Sequence, residues 1–176
     1  MAPTDINIQP AVLSDINRLK EISEKTFYET FAAQNTKENM EKYISATFNL
    51  NQVSAELNDS QNKFFLALLN NQLAGYVKLH TGQPPEHLKN KKTIEIERIY
   101  VSKKYHNMKV GASLMSHSIQ YAAANKFDII WLGVWEYNPR AIKFYERWDF
   151  EKFGTHIFIL GDDPQTDVLM LKELNP

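Results

Sequence analysis

Glu95, Glu97, Gly111, Asn138 and Tyr145 are the residues whose types and spacing suit chemistry. Glu95 and Glu97 stand two apart in TIEIERIYV, a segment of strong β propensity over Thr93–Val101. The two-residue period of a strand puts both carboxylates on one face, together with Ile99 and Val101. A carboxylate on a strand is a candidate proton acceptor, and an ion pair of Glu97 with Arg98 or a lysine accounts for that residue equally well. The segment then passes through a polar turn, SKKYHNMK, into a helix expected over 109–125, with Gly111 among its first residues. Such a junction offers unpaired backbone N–H groups and the positive end of the helix dipole, which suits a pyrophosphate. Asn138-Pro139 caps and opens a second, shorter helix that presents Phe144-Tyr145 one turn from its end. Tyr145 is a candidate proton donor there and, on an amphipathic helix, a candidate core aromatic.

Other chemistries lack their residues. Cysteine is absent, which excludes disulfides, thiolate ligands and a Cys nucleophile. The five histidines, at 80, 87, 106, 117 and 156, form no i,i+4 pair and stand in no acidic ligand pattern, so no metal is expected. Neither a G-x-S-x-G elbow, a Walker A loop nor a G-x-G-x-x-G loop occurs. Twenty Lys and Arg against 21 Asp and Glu give a net charge of -1, without the basic excess of a nucleic-acid binder. Residues 1–9 carry no signal pattern and no apolar run reaches membrane-spanning length, so a cytoplasmic location and no membrane partner are expected.

The elements that must position these residues fit a single domain over 1–176, with 43% hydrophobic and 23% charged residues for a sizeable core. A short strand at 7–9 precedes a helix capped by Ser14 with an apolar face of Leu13, Ile16, Leu19 and Ile22, continuing toward Phe27 and Phe31. Thr36 caps a second helix and a third follows Asn51. KFFLALL and QLAGYVKLH form a hairpin across Asn70-Asn71, because Asn tolerates the left-handed backbone of a two-residue turn. Residues 81–92, with Pro84-Pro85 and three lysines, form a solvated loop. A strand at 128–134, the helix from 139 to about 148, and an antiparallel pair at 150–160 and 166–174 complete the chain. The order predicts a mixed sheet flanked by helices, α+β or α/β in class rather than a doubly wound fold.

Taken together, the stretch around Glu95–Met115 and VWEYNPRAIKFYERWDF resemble the Gcn5-related N-acetyltransferase (GNAT) family. That family carries ERIYV-x-x-x-Y-Q-G-x-G-x-G before its pyrophosphate-binding helix and N-x-x-A-x-x-F-Y-E-x-x-G-F after the next strand. The second motif is met by Asn138, Ala141, Phe144, Tyr145, Glu146 and Phe150. The resemblance implies a mostly antiparallel sheet of six to seven strands, splayed between its central parallel strands. It implies acetyl-CoA as co-substrate, with backbone of Ile99, Tyr100 and Val101 pairing to the pantetheine arm. His106, Asn107, Met108, Lys109, Val110, Gly111 and Ala112 would wrap the pyrophosphate, Asn138 would bond the pantetheine, and Arg147 would reach the outer phosphates. Direct acetyl transfer to an amine needs a base and an acid. Glu97, nearer the coenzyme end of the strand, is expected as the base acting through water, and Tyr145 as the acid at the leaving sulfur. The chain departs from the motif at His106, at Asn107 and Lys109 where glycines stand in the family, and at Asp149 after the last helix. Asn and Asp tolerate left-handed backbone; Lys109 either obstructs the phosphates or points outward and adds a charge.

In this family the acceptor cleft is walled by the early helices, which suggests Tyr28, Glu29 and Phe31 as substrate-binding residues. Residues 27–59 hold five acids (Glu29, Glu38, Glu41, Glu56, Asp59) against Lys37 and Lys42, a balance that suits a cationic acceptor and a solvated helix face alike. TFYETFAAQNTKENMEKYI, with GYVKL and IERIYV, is similar to the bacterial spermidine/spermine N-acetyltransferases, so a polyamine is the expected acceptor. The degraded glycine motif leaves a second reading, a non-catalytic acyl-CoA-binding sensor of the same fold. Phe153, Phe158, Val168 and Leu171 of the last hairpin suit a homodimer contact and a core role equally.

Overall fold

Seven strands and five helices follow from that patterning in a computed structural model that describes residues 5–174. The reading of residues 1–4 as free of a signal pattern lies outside them. In chain order the elements are β1 (Ile6–Pro10), α1 (Ile16–Phe31), α2 (Lys37–Thr47), α3 (Leu50–Asn58), β2 (Asn62–Leu69) and β3 (Gln72–His80). After them come β4 (Thr93–Val101), α4 (Val110–Ala124), β5 (Ile129–Trp135), α5 (Pro139–Glu146), β6 (Glu151–Leu160) and β7 (Asp163–Glu173). They form one sheet in the order β1-β2-β3-β4-β5-β7-β6, parallel only between β4 and β5.

Local chemistry explains most of the boundaries. The β2–β3 turn holds Asn70 and Asn71 at φ 49° and 64°, the left-handed pair expected of a tight hairpin. Thr36 Oγ1 accepts from the Asn39 N–H at 3.2 Å and caps α2. Two starts differ from expectation. Asn49, not a residue after Asn51, caps α3, accepting from the Gln52 N–H at 2.9 Å. Ser14 does not cap α1; Leu13–Asp15 turn as a 3₁₀ segment, and the Asp15 carboxylate takes the Val12 N–H at 3.0 Å.

The core has two sides. Ile94, Ile96, Ile130 and Leu132 pack under α4 and α5 with Leu114, Met115, Ile142 and Tyr145. Phe64, Leu66 and Tyr76 face the other way, against Leu19, Ile22 and Val53 of α1 and α3. Phe158 packs partly buried on the Phe27, Met40 and Phe48 cluster, and Phe153 and Leu171 on Trp131 and Leu169, so these hairpin residues serve the core.

The β3–β4 register contains a shift that decides the site. Lys78 stands opposite Arg98, yet Leu79 stands opposite Ile96, which leaves Glu97 as an extra residue in β4. A bulge of this kind aims two successive side chains to one side and reverses the alternation beyond it. Glu95 and Arg98 therefore share a face through His80 and Lys78, while Ile99 and Val101 join the α4 side. The expectation that Glu95 and Glu97 share a face with Ile99 and Val101 is corrected by this bulge.

Candidate active site

β4 and β5 pair only from Thr93 to Glu95, opposite Ile129 to Trp131. Beyond Glu95 they diverge, and a cavity of about 870 Å³ opens between them. One edge of Ile99, Tyr100 and Val101 is bonded to Val77, Tyr76 and Gly75 of β3, so the edge toward β5 is left for a peptide-like guest. Gly75 makes the β3 side tight: a Cβ there would lie 2.5 Å from the Tyr100 carbonyl oxygen.

At the coenzyme end, the turn before α4 is built from left-handed residues, Asn107 at φ 65° and Lys109 at φ 63°. Asp149, the third position where the family has glycine, sits at φ 62°. All three adopt the glycine-like backbone without glycine. The His106 imidazole Nε2 lies 3.0 Å from the Val101 carbonyl and ties the turn to the end of β4. Val110, Gly111 and Ala112 open α4, and first-turn amides have no acceptor within their own helix. A Cβ on Gly111 would come no nearer than 3.7 Å to Val101 and 4.0 Å to Phe144, so the cradle has room beside it. His106, Asn107, Lys109, Val110, Gly111 and Ala112 all line the cavity, as do Asn138 and Arg147; Met108, expected with them, is exposed and does not. Arg140 lines it too, a cation the sequence reading passed over. Asn138 caps α5 by accepting from the Ala141 N–H at 3.1 Å, which leaves its NH₂ group to donate elsewhere. The residues present fit a pantetheine and pyrophosphate.

Tyr145 lines the same cavity from α5, its ring against Phe144 and Phe150. Burial pushes its phenol well above the usual tyrosine value, so it holds its proton at neutral pH.

The two carboxylates on β4 differ. Glu97 bonds Lys78 at 2.8 Å and Arg98 at 3.3 Å, inside a network in which Arg98 grips Glu56 of α3 with two bonds, at 2.7 and 3.0 Å. Burial pushes Glu56 up, and the bonds and charge of Arg98 and Lys78 more than reverse that, leaving it below the usual range. This network balances two anions with two cations and fixes α3 to the sheet. Glu95 makes no such bond. Burial and the neighbouring Glu97 charge push it up to about 7, against a lesser pull from His156 and Lys78. A carboxyl poised there exchanges protons near neutrality. Both carboxylates line the cavity, Glu97 inside the ion-pair network and Glu95 outside it.

On the side of the early helices the cavity is walled by Phe27, Phe31, Tyr43 and Phe48, with Trp135 and Phe158 also lining it. Phe27 stacks on Tyr43 with centroids 4.5 Å apart, and Phe31 meets Trp135 edge-on at 6.1 Å. Of the three expected acceptor residues, Phe31 and Glu29 line the cavity and Tyr28 does not; it lies on the outer side of α1, more than half exposed. Glu29 already accepts the Lys103 N–H at 2.8 Å and so anchors the turn after β4. Glu38, Glu41, Glu56 and Asp59 stay outside the cavity, which removes the acidic lean of residues 27–59 as a substrate signal. Sequence reasoning missed His156, Gln165 and Asp167, which reach the cavity from β6 and β7; nothing in their local sequence marks them. Among the described residues no helix is long and apolar enough to cross a membrane.

Comparisons with known proteins agree with this geometry. The model of the acetyltransferase (GNAT) family matches residues 16–150. An uncharacterized N-acetyltransferase of Lactobacillus delbrueckii subsp. lactis is 32% identical over 171 residues, covering 97% of this chain and 99% of the relative. One of Mycobacterium tuberculosis is 26% identical over 163 residues, covering 92% and 99%. Among solved structures, the PaiA N-acetyltransferase of Thermoplasma acidophilum in complex with coenzyme A superposes with a TM-score of 0.80 at 21% identity, over 96% of this chain and 99% of that one. The chain belongs to the acetyltransferase (GNAT) family and is an N-acetyltransferase with acetyl-CoA as its donor.

Proposed function

We propose that the cleft between β4 and β5 moves an acetyl group directly from acetyl-CoA to a small primary amine, with Glu95 as base and Tyr145 as acid. The observation that carries this reading is two proton-bearing groups on one cavity, both pushed up by burial, a carboxyl raised to near neutrality and a phenol that stays protonated there. An amine arrives as an ammonium ion at neutral pH. Its proton passes to the Glu95 carboxylate, directly or through one water, and the free nitrogen attacks the thioester carbonyl. The carbonyl oxygen is stabilised by a backbone N–H of β4 on the edge that faces the opening. The tetrahedral adduct expels the thiolate, which takes its proton from the Tyr145 hydroxyl. The second proton shed by the nitrogen returns through water to the Tyr145 phenolate, and the proton held by Glu95 is released to solvent. The sum is ammonium plus acetyl-CoA giving the amide, free coenzyme thiol and one proton.

The acceptor is proposed to be cationic, with spermidine and spermine the first candidates on the resemblance of the early helices. The cation–π capacity of the aromatic wall supports a charged or partly apolar amine. Free-thiol release from acetyl-CoA over spermidine, spermine, aminoglycosides, amino acids and a lysine peptide tests the reading. Release that saturates with a polyamine supports it; saturation only with a peptide replaces the acceptor class. Acetyl-CoA binding without release from any amine would leave the sensor reading.

A further inference from the structure

β6 and β7 add two residues that the transfer reaction above does not use. Asp167 on β7 stands directly opposite Trp135 of β5 on one side and His156 of β6 on the other, so all three point to the same face of the sheet. Glu95 points to that face too, through the pairings of Trp131 with Glu95 and with Leu171. Gly133 lies between Trp131 and Trp135 and has no side chain to fill the space. A Cβ there would come within 3.3 Å of both His156 Nε2 and Asp167 Oδ2. The two groups lean over that gap, 3.3 Å apart, and both line the cavity with Glu95. The Asp167 carboxylate is mostly covered, at 14% exposure, while the imidazole is 43% exposed and reaches water.

We infer that His156, oriented by Asp167 across the gap at Gly133, is a positioning residue whose charge sets the proton affinity of Glu95. This inference rests on the proposed base role of Glu95.

The surroundings give the sign. From its own strand Glu95 is faced by Glu97, which disfavours its ionised form, and by Arg98; Lys78 and His80 come from β3, Glu56 from α3 and His156 from β6. Lys78 and Arg98 are bonded to Glu56 and Glu97, and His80 Nδ1 lies 2.7 Å from Asn62 Oδ1. His156 is therefore the cation whose partner, Asp167, lies on the cavity side rather than in the α3 network. The bond to Asp167 raises the imidazole above its usual value, against a smaller opposing effect of burial. A charged His156 favours the Glu95 carboxylate, and by linkage the carboxylate favours charged His156. The couple keeps the base able to ionise beside Glu97.

The test reads both ends of this coupling. Proton NMR of the His156 ring across pH, in wild type, Glu95→Gln and Asp167→Asn, needs no turnover. The His156 midpoint is expected to fall by about half a unit in E95Q and by about one unit in D167N. In His156→Gln the acidic limb of kcat/KM for the amine is expected to move to higher pH by about half a unit, with acetyl-CoA Kd unchanged. A merely structural histidine would lower the rate without moving that limb. An E95Q titration that superimposes on wild type, or a limb that stays in place in H156Q, overturns the inference while leaving the transferase intact. No release with any amine would remove the parent reading, and this inference with it.

Discussion

The two ends of the cleft are made of different materials. The proposed coenzyme end is mostly backbone, one edge of β4, the left-handed turn through Asn107 and Lys109 and the first amides of α4, with Asn138, Arg140 and Arg147 beside it. The proposed acceptor end is side chains drawn from α1, α2, β4, β5, β6 and β7, with aromatic walls and the proposed base beside a bulge. A backbone site constrains a short contiguous run, because conformation is what binds. A side-chain site depends on which strand faces which, and that is settled by packing far along the chain. One consequence is that substitutions at the two ends should separate coenzyme affinity from turnover.

The largest effect is expected at the acceptor end. Glu95→Gln should lower kcat/KM for the amine by roughly 10²–10³-fold at pH 7, as loss of a general base does. Glu97→Gln should cost about tenfold at most, because it loosens an ion-paired residue and leaves the base in place. Steady-state thiol release compares the two. Next in size, Tyr145→Phe should lower kcat by about 10²-fold, while acetyl-CoA Kd by calorimetry stays within about twofold. A large change in Kd would move Tyr145 from the chemistry to the coenzyme grip.

At the coenzyme end the effects are smaller and of another kind. Lys109→Gly should raise the melting temperature, since a lysine at φ 63° costs about 1 kcal/mol relative to glycine. It should also weaken coenzyme binding several-fold by removing a cation from the cavity wall, more at low salt than at high. Tighter binding in K109G would mean the side chain obstructs the phosphates. The smallest effects belong to Glu29→Gln and Tyr28→Ala. The first keeps an oxygen to accept the Lys103 N–H and the second lies outside the cavity, so amine KM should change by less than about twofold.

The same contrast explains what was legible in the sequence. The order of elements along the chain, the Asn70-Asn71 hairpin, the Thr36 cap and the turn before α4 all sit in local patterns, and the motif spacing carried Asn138, Tyr145 and Gly111 to the cavity. Even the missing glycines read correctly, because Asn107 and Asp149 are residue types that accept left-handed backbone. The bulge at Glu97 has no composition signal, so a two-residue period carried through it put Glu95 on the face of Ile99 and Val101, where the structure does not have it. Helical spacing put Phe27 and Phe31 on one apolar face, and Tyr28, expected at the site from the cluster on that helix, turns outward one position off that face. His156 and Asp167 meet only because β7 lies between β5 and β6, a fact of topology that no window of sequence contains.

The most direct test is the pH dependence of kcat/KM for the amine in wild type, E95Q and E97Q. Glu95 must be ionised to act, and its pKa stands at about 7, so the wild-type profile should fall below a break near pH 7. That break should vanish in E95Q and persist in E97Q, moved to lower pH because the Glu97 charge that helps raise Glu95 is gone. A break that survives in E95Q and is lost in E97Q would contradict the account and return the base to Glu97.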